Sequence, residues 1–256
     1  MFQSFEDVTD PTLAAPRVTA LRARLNDMGL DGFIVPHADE HQSEYLPVHA
    51  ERLFWLTGFS GSAGSAVIMA DRAAIFVDGR YTLQVRDQVD GDIFAYRHLM
   101  EEPPTAWLKN NVAGGQSIGL DPWLHTERQV KDLRAAVEAA GGTLVFVDAN
   151  PLDAVWDNRP PPPQAPVSLH PSALAGKAAD KKIADIKASL VEERVDAAVL
   201  TACDSVAWLF NIRGWDVSHK PLALANAVIP TEGKPTIFMD RAKLSNAVAD
   251  ALSELA

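Results

Sequence analysis

Apolar positions at Val18, Leu21, Leu25 and Met28 recur with helical spacing and predict an amphipathic helix over residues 16–30. Pro16 suits its first turn, where a missing N–H costs nothing, and Gly29 is a natural stop. Phe33, Ile34 and Val35 then make a short buried strand closed by Pro36. Two further apolar runs, 66–69 and 74–77, flank the turn Ala70-Asp71-Arg72 and read as a hairpin. The pattern continues with a helix over 81–89, a strand over 93–98 and a short helix over 104–110 that contains Trp107. A strand over 117–120 follows, then a helix over 127–140 with Val130, Leu133 and Val137 on one face, then a strand over 144–147. This alternation with one hairpin predicts an α/β fold, a mixed β-sheet flanked by helices.

The pattern breaks over residues 150–178. Pro160 to Pro163 are consecutive prolines, with Pro166 and Pro171 close behind, and such a run favours extended geometry over a helix or central strand. It is expected to be a linker between a domain at 1–149 and a second at 179–256. The second domain opens with a helix near Ala179, carrying Ile183, Ile186 and Leu190, and a strand over 195–200.

The two halves repeat one another. Leu21, Leu25, Leu30, Asp31, Val35 and Asp39 stand at one constant spacing before Ile186, Leu190, Val195, Asp196, Leu200 and Asp204. Leu53 to Gly58 corresponds to Leu209 to Gly214, Ala66-Val67-Ile68 to Ala227-Val228-Ile229, and Ile75-Phe76-Val77-Asp78 to Ile237-Phe238-Met239-Asp240. The first copy runs on well past Asp78, whereas the second has only a short helix-like run after Asp240, so a truncated second domain is expected.

Composition changes the picture mainly by exclusion. The 256 residues carry a net charge of −11 and no basic run longer than Lys181-Lys182, which disfavours nucleic acid. No apolar run is long enough for a membrane span, and the acidic start Met1-Phe2-Gln3-Ser4-Phe5-Glu6-Asp7 does not read as a secretory signal, so a cytoplasmic protein is expected. Cys203 is alone, so it forms no intrachain disulfide, and core packing is its simplest role.

Candidate chemistry concentrates between Pro36 and Tyr81. His37, Asp39, Glu40 and His41 follow a strand, but their spacing is not that of a helix-borne zinc site. Gly58, Gly61 and Gly64 lack the lysine of a phosphate-cradling loop and are read as tight-turn glycines. Gly61-Ser62-Ala63-Gly64-Ser65 is not a nucleophile elbow. Asp78 and Arg80 are placed to form an ion pair after a strand, and Phe54, Trp55 and Phe59 to fill a core. A nuclease site built from Asp31, Asp39 and Asp78 is compatible with the fold class alone. The residues themselves contain no complete catalytic constellation.

The strings Asp39-Glu40-His41-Gln42-Ser43-Glu44-Tyr45, Gly58-Phe59-Ser60-Gly61-Ser62-Ala63-Gly64 and Asp78-Gly79-Arg80-Tyr81-Thr82-Leu83-Gln84 resemble the first domain of three-domain Xaa-Pro aminopeptidases. The run from Asp204 to Val217, with Pro221 after it, resembles the second domain of that family. The resemblance implies two creatinase-like domains ahead of a catalytic pita-bread domain that lies beyond Ala256. That domain would hold two divalent ions, manganese in the usual case, and remove the first residue of peptides with proline second. No catalytic residue and no metal ligand is therefore assigned within this chain, which is expected to be inactive alone, to narrow access to the catalytic cleft and to support a homodimer. By the same resemblance His41, Arg52 and Phe54 are candidates for a substrate-access or dimer-interface role. A stand-alone peptide-binding module of the same fold is the alternative.

Overall fold

The computed structural model describes residues 9–256. They divide into two compact units, one running up to Asp39 and resuming over Ala50–Pro160, the other comprising Glu40–His49 and Pro161–Ala256.

In the first unit the elements follow the order α1 (Ala14–Asp27), β1 (Gly32–Pro36), α2 (Arg52–Thr57), β2 (Gly64–Met69), β3 (Ala73–Val77), α3 (Gln84–Gln88) and β4 (Ala95–His98). Then come α4 (Pro104–Asn111), β5 (Ser117–Leu120), α5 (Glu127–Ala139), β6 (Thr143–Phe146) and α6 (Pro151–Val155). The six strands form one sheet in the order β4-β3-β2-β1-β5-β6. The β1–β2 and β2–β3 pairs are antiparallel, as the hairpin pattern predicts, and the β3–β4, β1–β5 and β5–β6 pairs are parallel. The sequential parallel pairs are joined by helical crossovers, as parallel neighbours require, β3 to β4 through α3 and β5 to β6 through α5.

Both faces of this sheet are covered. Phe33, Val35, Ala66, Ile68, Ile75 and Val77 pack with Val18, Leu21 and Leu25 of α1, Leu53 and Leu56 of α2, and Leu152 of α6. Ile34, Val67, Met69, Ala74 and Phe76 pack on the other side with Trp107 and Leu108 of α4 and Leu133 and Val137 of α5. The period-2 alternation of β1 and β2 thus splits into two apolar faces, which is why these strands read as continuous apolar runs.

Some boundaries differ from expectation for local reasons. The N–H groups of Ile93 and Phe94 both donate to the Asp90 carbonyl, so these residues close a turn and β4 starts at Ala95. The N–H of Tyr81 likewise donates to Asp78 O, and α3 begins only at Gln84. The stretch 150–178 is more structured than a proline-rich linker. Asn150 caps α6 by accepting from Leu152 N–H, and Pro151 occupies the helix start, where its ring is tolerated. Trp156 then stacks on Trp55 with ring centroids 5.3 Å apart.

In the second unit, β7 (Ser168–Leu169), α7 (Ser172–Ala175), α8 (Ala179–Glu193), β8 (Ala197–Leu200) and α9 (Cys203–Phe210) come first. They are followed by β9 (Ile212–Arg213), β10 (Asn226–Pro230), β11 (Thr236–Phe238) and α10 (Asn246–Ser253). A three-stranded antiparallel sheet has the order β11-β10-β8, and β7 pairs with β9.

The duplication holds at the level of register. In the first unit Val35 pairs with Ala66, Ile34 with Val67 and Ala66 with Ile75. In the second, the corresponding Leu200 pairs with Ala227, Val199 with Val228 and Ala227 with Ile237.

Candidate functional site

The motif residues Asp39 to Tyr45 do not stay in the unit whose strand they follow. Asp39 ends the first segment of unit one, and Glu40–His49 belongs to the second unit. There His41 Nδ1 lies 2.9 Å from the Thr201 carbonyl oxygen, and the Lys220 ammonium sits 4.1 Å from the centroid of the Tyr45 ring. Gln42 adopts φ 56°, a left-handed conformation that turns the strap back on itself. The strap walls a cavity of about 280 Å³ together with Cys203 and Asp204 at the start of α9, and with Val217 and Lys220. Cys203 is buried there, in keeping with a packing role.

The glycine segment is a folding device. Gly58 ends α2 with φ 82°, and a Cβ on it would lie 2.9 Å from the Gln88 carbonyl oxygen. The ring of Phe59 folds under Gly61, where a Cβ would meet Phe59 Cζ at 2.3 Å. Thr57 Oγ1 donates to Leu53 O and accepts from Phe59 N–H, while Gln88 Oε1 accepts from Ser60 N–H. The N–H groups of Gly58, Phe59, Ser60 and Ser62 are thus already used internally.

Around α2 a second cluster forms within the first unit. Arg52 donates through Nε and Nη2 to the two carboxylate oxygens of Asp153, at 2.7 and 2.9 Å, and Arg159 Nη1 reaches Asp153 Oδ2 at 2.7 Å. Arg17 lies over the Trp55 ring, 4.8 Å from its centroid, and also donates to the Trp55 carbonyl. Glu51 precedes this helix, and burial pushes its carboxyl up to about 7. Sequence reasoning passed over Glu51, since nothing in a lone acidic residue before a helix signals its desolvation.

Of the three residues singled out by resemblance, His41 is in the second unit, whereas Arg52 and Phe54 share α2 in the first. Arg52 is buried in its ion pair and Phe54 is half-buried. The expected ion pair of Asp78 with Arg80 is present at 2.7 Å, and hydrogen bonds from Arg80 hold the Asp78 carboxyl below its ordinary range.

Asp31 accepts from Ser117 N–H at the N-terminal end of β1, while Asp39 lies beyond its C-terminal end. A strand rises about 3.3 Å per residue, so the two carboxylates cannot share an ion. Among the described residues no group of three or more His, Cys, Asp or Glu side chains could hold a metal ion. The dinuclear centre implied by resemblance was assigned no ligand among these residues, and no catalytic step is derived from them. Also among the described residues, no helix is long and apolar enough to cross a membrane.

Two copies of one α/β unit, each with a helix capped by a left-handed residue, Gly58 in the first and Asn211 in the second, between the first two strands of its main sheet, define the class. The chain belongs to the creatinase/prolidase N-terminal domain family, whose models match residues 17–155 and, separately, 158–256. Within that class it is similar to the probable Xaa-Pro aminopeptidase P of Coccidioides posadasii (strain RMSCC 757 / Silveira), with 35% identity over 248 residues, 95% of this chain and 40% of the relative. The corresponding protein of Sordaria macrospora is 36% identical over 242 residues, 93% of this chain and 39% of the relative. Among solved structures, the X-prolyl aminopeptidase from Caenorhabditis elegans, described as a cytosolic enzyme with a di-nuclear active site, superposes with a TM-score of 0.88 at 28% identity. That match covers 94% of this chain and 41% of the nematode protein. The chain therefore spans about 40% of the length of the curated relatives it matches.

Proposed function

We propose that this chain is the non-catalytic N-terminal part of a dinuclear-metal Xaa-Pro aminopeptidase, an enzyme that removes the residue preceding a penultimate proline. The observation that carries this reading is the continuous match, at about one-third identity, of 95% of the chain to 40% of an Xaa-Pro aminopeptidase. The missing share of the relatives leaves room for a catalytic domain with two metal ions, manganese in the first instance, to which these two units contribute no ligand.

On this reading the two units narrow access to the catalytic cleft, so that short peptides are admitted, and support a homodimer in the cytoplasm. His41, Arg52 and Phe54 are the residues proposed to border that access or the dimer interface. Phe54 is the one to mutate first, because it retains solvent-facing surface while Arg52 is bound to Asp153.

The test is a peptidase assay on Xaa-Pro dipeptides and tripeptides, with manganese, using this chain and a version extended to the relatives' full length. Metal-dependent release of the first residue by the extended protein, and none by this chain, is the expected outcome. An extended protein that binds metal, is folded and cleaves no Xaa-Pro bond refutes the proposal.

A further inference from the structure

The cavity walled by the strap in the second unit is bordered by charges of both signs that do not pair with one another. Lys220 stands on a turn whose ends are tied: its N–H donates to Val217 O at 3.2 Å, and Asp216 N–H donates to Leu222 O at 3.0 Å. The Asp216 side chain is anchored in turn by the Lys243 ammonium. This turn holds the Lys220 ammonium against the Tyr45 ring of the strap, and among the described residues Lys220 Nζ makes no hydrogen bond and no ion pair. At the start of α9, Asp204 Oδ1 accepts from Ser205 N–H at 2.7 Å, while Oδ2 has no partner among the described residues. Lys220 and Asp204 both line the cavity of about 280 Å³, and Glu44 adds negative charge from the strap. Two other wall groups are engaged within the unit, His41 Nδ1 with Thr201 O and Cys203 Sγ with Ala225 O.

A simple anion drawn to Lys220 would be opposed by Asp204 and Glu44, and a simple cation drawn to Asp204 would be opposed by Lys220. A ligand carrying both charges a short distance apart satisfies both groups with charge-assisted hydrogen bonds. The volume lies just below the roughly 300–1,000 Å³ of sites for drug-sized molecules, so the ligand is small. Val217, Leu222 and the Tyr45 ring supply apolar wall for an aliphatic side chain.

We infer that this cavity binds a small zwitterion of the class of a free α-amino acid or a dipeptide, its carboxylate on Lys220 and its ammonium on Asp204. Removing the first residue of a peptide leaves such a molecule, so under the proposed function the cavity would take the class of compound that the enzyme releases. The assignment itself rests on the cavity and not on that reading.

The test is heteronuclear NMR of this chain titrated with L-alanine, with L-alanyl-L-proline, with N-acetyl-L-alanine, which lacks the ammonium, and with L-alaninamide, which lacks the carboxylate. Saturable shifts centred on the amides of 41–45, 202–204 and 217–222 are expected with at least one of the two zwitterions. Each blocked analogue is expected to bind at least about 10-fold more weakly, the loss of one charge-assisted contact. K220M should weaken the zwitterion by a similar factor and erase its advantage over L-alaninamide while keeping that over N-acetyl-L-alanine. D204N should do the reverse, since its side-chain oxygen still accepts from Ser205 N–H. Unchanged spectra outside the cavity report that both variants are folded. No saturable shift with either zwitterion overturns the inference. So do shifts centred elsewhere, equal binding of the zwitterions and their blocked analogues, or folded variants that bind as the parent does. None of these readouts depends on peptide cleavage.

Discussion

Lys243 and Asp216 form an ion pair inside the second unit, at 2.7 Å, with side chains 5% and 0% exposed. Replacing Lys243 with methionine keeps most of the side-chain volume, so little of the effect comes from a cavity. What is lost is the positive partner of a fully buried carboxylate. Asp216 would still accept from Ala165 N–H at 3.2 Å and Leu224 N–H at 2.8 Å, but its charge would be uncompensated. Breaking a buried pair from one side costs about 3–5 kcal/mol. For a unit of this size each 1 kcal/mol moves Tm by about 4–8 °C, so K243M is expected to lower the melting of the second unit by at least about 12 °C. The first unit shares none of these contacts. Hydrogen exchange should therefore show the loss in peptides from 161–256 and leave those from 50–160 unchanged. The double variant D216N/K243M removes both charges and keeps an acceptor for one of the two N–H groups, and is expected to recover about half of the loss. A K243M variant within 1 kcal/mol of the parent, or a double variant no better than the single one, would show that the pair does not carry the energy assigned to it.

Other outcomes follow from the first unit. The carboxyl of Glu51 is raised from its ordinary 4.5 to about 7 by burial. Below pH 4.5 it is protonated folded or unfolded and contributes nothing; between 4.5 and 7 the unfolded chain ionises first, so stability falls as pH rises; above 7 the cost is complete, on the order of 3 kcal/mol. E51Q should therefore stabilise the protein at pH 8 and not at pH 4 in urea titrations, and equal effects at both would refute the assignment. R52A should cost about 2 kcal/mol, less than K243M, because Asp153 keeps Arg159; the fluorescence of the stacked Trp55 and Trp156 reports it. G58A places a Cβ in a left-handed site 2.9 Å from Gln88 O and should cost at least about 2 kcal/mol by chemical denaturation, whereas G114A, with no atom near its Cβ, should be close to neutral.

The parts of this fold that announce themselves in sequence are those whose causes are local. The helix α5 is marked by Val130, Leu133 and Val137 and stopped by Gly141-Gly142, and the hairpin β2–β3 by two apolar runs around a polar turn. The duplication was legible because matched residues keep their order, and the matching strand registers follow from that. The ion pair of Asp78 with Arg80 spans two residues and was equally accessible. Contacts with distant partners left no such mark. Asp216 stands out only as part of a motif, and Lys243, its partner, is 27 positions later in an unremarkable polar turn. Arg52 reads as a surface arginine until α6 brings Asp153 to it from 101 positions away. No helix or strand spans Pro160 to Pro163, but the prolines after Asn150 masked α6, because Pro151 begins a helix as readily as it breaks one.

The strap at Glu40–His49 has a consequence for how the molecule is made. His41 meets Thr201 across 160 residues of chain. At about 5–20 residues per second, the strap leaves the ribosome roughly 10–30 s before its partner is synthesised. During that interval the first unit has all of its own strands once β6 has emerged, while His41 and Tyr45 have no cavity to line. Cutting the gene where the two family matches separate would make the delay permanent. A fragment beginning at residue 158 would lack the side of its cavity that His41 and Tyr45 form, and the complementary fragment would carry an orphaned loop. The two units are consecutive copies in sequence, yet only one of them can be completed without the other's stretch of chain.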